Sequence, residues 1–180
     1  MSTNDQGRDS ADGDLSYAVA VVRTDEGWKV SELDDSALDS VGEAVTAMRG
    51  LRAESASFGL LNIDDDYFII VRPVPGSVKV LLSDATAAVT DDIAADVFDE
   101  LDIDVPDIAD EDLDDTAGWP EGDLAILADV GLSEEVLAVI CEDADLWASE
   151  QLQSIAEALG FEDELSDAVD GDGDDDDYED

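Results

Sequence analysis

Asp64–Asp84, DDDYFIIVRPVPGSVKVLLSD, decides the fold. Two apolar runs, 67–72 and 78–82, are rich in β-branched and aromatic residues and are joined through Pro75-Gly76. Pro75 fixes φ and Gly76 takes a positive φ at no steric cost, so the stretch predicts a β-hairpin. On its first strand Tyr67, Ile69 and Val71 share one face, and Phe68 and Ile70 share the other. Both faces are apolar, as expected of a strand in a sheet covered on both sides.

Outward from the hairpin, the order of elements follows from periodicity. Strands are expected at 17–23 (YAVAVVR), 28–33 (WKVSEL) and 58–63 (FGLLNI), with a turn at 24–27. Ser36 reads as the N-cap of a helix carrying Leu38, Val41, Val45 and Met48 on one stripe and ending near Gly50. The order ββαβββ with short connections predicts an α+β fold, an antiparallel sheet with helical cover. A second helix is expected over 85–101, capped by Ser83 or Asp84. A small three-helix C-terminal unit follows. Its first helix carries Leu124, Ile126, Leu127 and Val130. Its second is capped by Ser133, with Leu132 and Leu137 as a hydrophobic staple. Its third opens at Ser149 and closes at Gly160, onto which Phe161 folds back.

The domain organisation expected from this pattern has five parts. Residues 1–16 form a disordered acidic N-terminus, 17–101 the sheet domain and 102–122 an acidic linker. Residues 123–161 form the three-helix unit, and 162–180 a disordered acidic tail. The linker alternates single apolar residues with carboxylates. It is either a solvated spacer or an arm laid across a surface, and the spacer is the plainer reading.

Composition excludes much chemistry. The 180 residues hold 51 acids against 7 bases, a net charge of −44. Such a polyanion is repelled by nucleic-acid phosphates and anionic membranes, so neither is an expected direct partner, whereas a basic protein surface is. The charge is lopsided: residues 17–98 hold 15 acids and 6 bases, and residues 99–180 hold 32 acids and no base. There is no histidine and one cysteine, Cys141, which rules out an intrachain disulfide, a Cys/His zinc site and histidine-dependent nucleophilic catalysis. The sequence offers no secretory leader and no run of about 20 apolar residues, so a soluble cytoplasmic protein without a cofactor is expected.

Three groups remain as candidate sites. Asp64–Asp66 could hold a divalent metal in a carboxylate-dependent enzyme, or simply form the turn before a strand. Asp170–Asp177 (DGDGDDDD) invites a calcium reading, but Asp175 stands at the sixth position where a calcium loop needs glycine, so a solvated tail is the better account. The bases Arg23, Lys29, Arg72 and Lys79 either neutralise neighbouring carboxylates or contact an anion on the sheet. Among the tryptophans, Trp119 beside Pro120 reads as an interface anchor.

The segments YAVAVVRTDEGWKVSEL, DDDYFIIVRPVPGSVKVLLSDATAA and GDLAILADVGLSEEVLAVICEDADLWASEQLQSIAEALGF together resemble a bacterial family named tRNA adenosine deaminase-associated protein, over residues 17–161. The resemblance implies a companion of the deaminase and brings no catalytic residues with it. A zinc deaminase needs H-x-E and P-C-x-x-C to hold its metal and move the proton, and this chain has neither. The expectation is therefore a non-enzymatic accessory protein whose acidic half docks on the basic face of a tRNA-modifying deaminase. The residues expected at that contact are Asp110, Glu111, Asp112, Leu113, Asp114, Asp115 and Trp119. The alternatives are the metal-dependent enzyme at Asp64–Asp66 and an acidity that serves only solubility or salt tolerance.

Overall fold

The computed structural model describes residues 16–51, 55–113, 115–143 and 145–169. Six strands form one sheet: β1 (Tyr17–Thr24), β2 (Gly27–Glu32), β3 (Ser57–Ile63), β4 (Tyr67–Val74), β5 (Ser77–Leu82) and β6 (Glu121–Gly122). Their order is β2-β1-β3-β4-β5-β6, and every neighbouring pair is antiparallel. The helices are α1 (Val41–Gly50), α2 (Asp92–Leu101), a single turn α3 (Asp110–Leu113), α4 (Glu134–Glu142) and α5 (Ala148–Leu159). Residues 162–169 are helical as well.

The central hairpin forms as its residues dictate. Pro75-Gly76 close a two-residue loop between Val74 and Ser77, with Gly76 at φ +73°. The preceding turn has a different mechanism. Asp64 and Asp65 adopt φ +56° and +63°, a left-handed conformation that the short polar Asp side chain tolerates. The Asp66 N–H then donates to the Ile63 carbonyl at 2.9 Å.

Both faces of the sheet are covered. Tyr67, Ile69 and Val71, with Leu61, Ile63 and Leu82, pack beneath α1 and α2 through Ala44, Met48, Ile93, Val97 and Phe98. Phe68 and Ile70, with Val19, Val21, Phe58, Leu60 and Leu81, pack beneath the C-terminal helices through Leu127, Leu137, Leu152, Ile155 and Phe161. Gly59 lets α1 come close: a Cβ there would stand 3.2 Å from the Met48 sulfur. The C-terminal helices are thus one wall of the core.

Several elements differ from the periodicity reading. The first helix is preceded by a separate 3-10 turn, Asp35–Leu38, and its N-cap is Ser40, whose Oγ accepts the Glu43 N–H at 3.1 Å. The expected helix 85–101 is likewise split into a 3-10 turn, Ala85–Val89, and α2. Asp84 caps only the former, and the uneven apolar spacing of the segment reflects that break. Leu124–Val130 makes turns and a 3-10 segment, Ala128–Val130, instead of an α-helix. Its anchor is an ion pair that neither residue's local pattern signals. Arg72 grips Asp129 through two bonds of 2.6 and 2.8 Å and donates to the Ile126 carbonyl at 2.7 Å.

The remaining differences concern caps and ends. Ser133 caps α4 as expected, and Phe161 returns to the last turn of α5 after Gly160 at φ +97°. Trp147, however, is the N-cap of α5 in place of Ser149. The segment read as a spacer ends in β6, paired with β5 at Leu81–Gly122 and Leu82–Glu121. Residues 162–169, read as the start of a disordered tail, are helical and bury Leu165 against Phe161's cluster. The readings of residues 1–15, of Asp114 and of Asp170–Asp177 fall outside the described residues.

Candidate functional site

The carboxylates of Asp64–Asp66 are put to three separate uses. Asp64 faces solvent and exchanges hydrogen bonds with Ser16, its N–H donating to Ser16 Oγ at 2.8 Å. Asp65 turns onto the start of α5. Its Oδ1 accepts the Ser149 N–H at 2.7 Å, and its backbone carbonyl accepts the Ala148 N–H at 3.2 Å. That satisfies two of the donors a helix N-terminus leaves without intrahelical partners and places negative charge at the positive end of the helix. Sequence reading missed this because the two partners lie more than eighty residues apart.

Asp66 alone points into a cleft, a space of about 190 Å³ lined also by Ser83, Asp84, Cys141, Glu142, Asp143 and Gln151. Partial desolvation of this otherwise exposed residue, and then the charges of Asp64, Asp91, Asp65 and Asp84, hold the Asp66 carboxyl above its ordinary value. The neighbouring groups are occupied. Asp84 Oδ1 accepts the Thr86 N–H and hydroxyl at 2.9 and 2.6 Å. Gln151 donates to the Ile140 carbonyl at 2.8 Å and so closes the end of α4. Burial pushes the Cys141 thiol up to about 12, which leaves it protonated and unreactive near neutrality. Among the described residues no group of three or more His, Cys, Asp or Glu side chains could hold a metal ion. The metal-dependent reading of Asp64–Asp66 is thereby corrected: the three carboxylates diverge, and one of them is a helix cap.

Three of the four strand bases are likewise held by neighbours. Arg72 holds Asp129, whose carboxyl lies below its ordinary value chiefly through that hydrogen bond. Lys79 lies 3.8 Å from Asp123, and the Arg23 guanidinium sits 5.3 Å from the Trp28 ring centroid. Trp28 in turn donates to the Leu159 carbonyl at 3.1 Å and meets Phe58 and Phe161 edge-on or tilted. Arg72 and Lys79 therefore tie the sheet to the chain that follows β6, while Arg23 packs within the β1–β2 hairpin.

The contact residues expected from sequence are distributed along one segment. Asp110, Glu111 and Asp112 are exposed on α3, Leu113 is half-buried, and Asp115 is exposed. Trp119 stands at the sheet edge, 36% exposed, where its Nε1 donates to Glu121 at 3.2 Å and its carbonyl accepts the Ala85 N–H. The structure thus anchors Trp119 to the sheet while α3 carries its acids outward.

A second surface lies on α4. Leu137 and Cys141 bury the inner stripe of that helix, while Val136 and Val139 are 46% and 68% exposed on its outer side. Trp147, just beyond, is 60% exposed. An open groove of about 630 Å³ runs beside the helix, lined by Leu124, Ala128, Gly131, Ser133, Glu134, Glu135 and Ala138. The sequence carries only part of this signal: Val136 and Val139 lie off the stripe formed by Leu137, Ile140 and Cys141, and which side faces out is fixed by the burial of Leu137 and Cys141. Among the described residues no helix is long and apolar enough to cross a membrane.

Comparison with known proteins agrees with the resemblance. A family model described as Rv3753c-like tRNA adenosine deaminase-associated protein matches residues 16–162. Protein Rv3753c of Mycobacterium tuberculosis (strain ATCC 25618 / H37Rv) is 48% identical over 163 residues, covering 91% of this chain and 92% of the relative. No solved structure matches.

Proposed function

From the premise that the chain belongs to the Rv3753c-like tRNA adenosine deaminase-associated protein family, we propose that it is a non-enzymatic, cytoplasmic accessory protein that binds the basic surface of a tRNA adenosine deaminase. The observation that carries the reading is the charge distribution: residues 99–180 hold 32 acids and no base. A protein that handles tRNA offers a basic surface, and a folded polyanion complements it over distances of about 10 Å at 0.1 M salt. The contact is proposed at the carboxylates Asp110, Glu111, Asp112, Asp114 and Asp115, with Leu113 and Trp119 as the apolar part. Chemistry is left to the deaminase. This chain has neither the H-x-E nor the paired cysteines that such a site requires, and its one thiol is buried.

The test is titration of the deaminase with the full chain across salt concentrations. Binding that weakens steeply from about 50 to 300 mM salt supports the reading. No complex at low salt, or an affinity indifferent to salt, overturns it.

A further inference from the structure

The groove beside α4 differs from the acidic arm because it combines charge with unburied apolar surface. Its apolar lining is Leu124, Ala128 and Ala138, and its charged lining is Glu134 and Glu135. On the helix, Val139 has Glu135 four residues before it and Glu142 three residues after, so the exposed valine sits between carboxylates on one face. Ser133 caps the helix, and Gln151 ties its last carbonyls to α5, so both ends of this face are fixed. Val136 and Val139, three residues apart on one helix and both exposed beside an open groove, group apolar surface in the way that marks a contact with another molecule.

We propose that the groove and the outer face of α4 dock a basic amphipathic protein segment, apolar side chains inserted over Ala138 and Val139 with lysines or arginines on the flanking glutamates. Charge selects this occupant. Every charged residue in this half of the chain is acidic, so an acidic segment, or a second copy of the same face, would be repelled. An uncharged apolar segment would leave the glutamates without partners. A helical segment suits an exposed helix face, its anchors recurring at three- and four-residue spacing. The inference rests on the reading above that the partner is a basic protein, and it adds an apolar anchor on α4 to the contact proposed at Leu113 and Trp119.

Val139→Asp is the decisive variant, because it removes the apolar contact while adding negative charge at a largely exposed position. Two probes are titrated into the isotope-labelled full chain: a synthetic amphipathic helix of leucines and lysines, and the tRNA adenosine deaminase. The expected result is amide shifts centred on Ala128, Ala138 and Val139 with both probes, and at least a tenfold weakening by Val139→Asp. Unchanged or tighter binding of the variant peptide, or shifts confined to other parts of the chain, overturns the groove. If the peptide behaves as expected and the deaminase does not bind, the groove stands and the deaminase reading falls. If the deaminase binds but ignores Val139→Asp, that reading stands and the groove falls. Unchanged wild-type far-UV circular dichroism in the variant excludes misfolding as the cause.

Discussion

The two faces of the sheet are built alike on the inside and differently on the outside. Under α1 and α2 the sheet presents Leu61, Ile63, Tyr67, Ile69 and Val71; under the C-terminal helices it presents Phe58, Leu60, Phe68 and Ile70. Each face buries a continuous apolar layer. The cover of the first face comes from the part of the chain that holds six bases among its acids, whereas the cover of the second contains none. The difference teaches that charge and core are set independently here. The acidic half folds as a wall of the domain, and its charge is displayed on surface that the core does not use.

Removing the second wall is the strongest way to break that comparison. Truncation after Gly122 would expose Val19, Val21, Phe58, Leu60, Phe68, Ile70 and Leu81. Each buried side chain of this size contributes about 1.5–3 kcal/mol, and together they match or surpass the ~5–15 kcal/mol of net stability in an ordinary domain. The truncated chain is expected to lose cooperative urea unfolding and to associate. A monomer with a sharp transition would show that the first face stands alone.

Smaller changes test how the walls are tied. Asp65→Gly keeps the left-handed backbone but removes the carboxylate that caps α5, and should cost about 1 kcal/mol in denaturant unfolding. Its neighbour Asp64 has the same backbone and no helix to hold, so Asp64→Gly should change stability by no more than about 0.5 kcal/mol. Equal losses at the two positions would remove the distinction between cap and turn.

Arg72→Met should cost about 1 kcal/mol, because Asp129 is largely exposed and its ion pair is screened by solvent. The pH dependence has a definite sign. Asp129's carboxyl is lowered in the folded state, so the pair's contribution is present above the unfolded value of 3.8 and disappears as pH falls through the folded value. The gap between wild type and Arg72→Met, followed by thermal unfolding, should therefore be constant at neutral pH and close below about pH 4. A gap that widens on acidification would contradict the assignment.

The central hairpin, with its two apolar faces, was legible in the residues because its turn chemistry is local. Pro75-Gly76 and the alternation through Tyr67–Val71 need nothing from the rest of the chain. What escaped was set by distant partners. Asp65 looked like a turn residue because its role depends on Ser149, and Leu124–Val130 looked helical because Arg72 is remote in sequence. β6 is two residues long, and its pairing depends on a glycine at φ +124° lying over the Val80 carbonyl. Residues 162–169 read as solvated tail because their acids outnumber the apolar Leu165 that anchors them. The candidate contact surface was legible as charge alone. That two valines on α4 face outward follows only once Leu137 and Cys141 are known to face in.

Hydrogen exchange of the full chain, alone and with the tRNA adenosine deaminase at low salt, tests most directly whether the outside of the acidic wall is the recognition surface. Protection should appear on α3 and α4, with β1 and β2 unchanged. Protection confined to the β2 edge or to α1 and α2 would contradict the account.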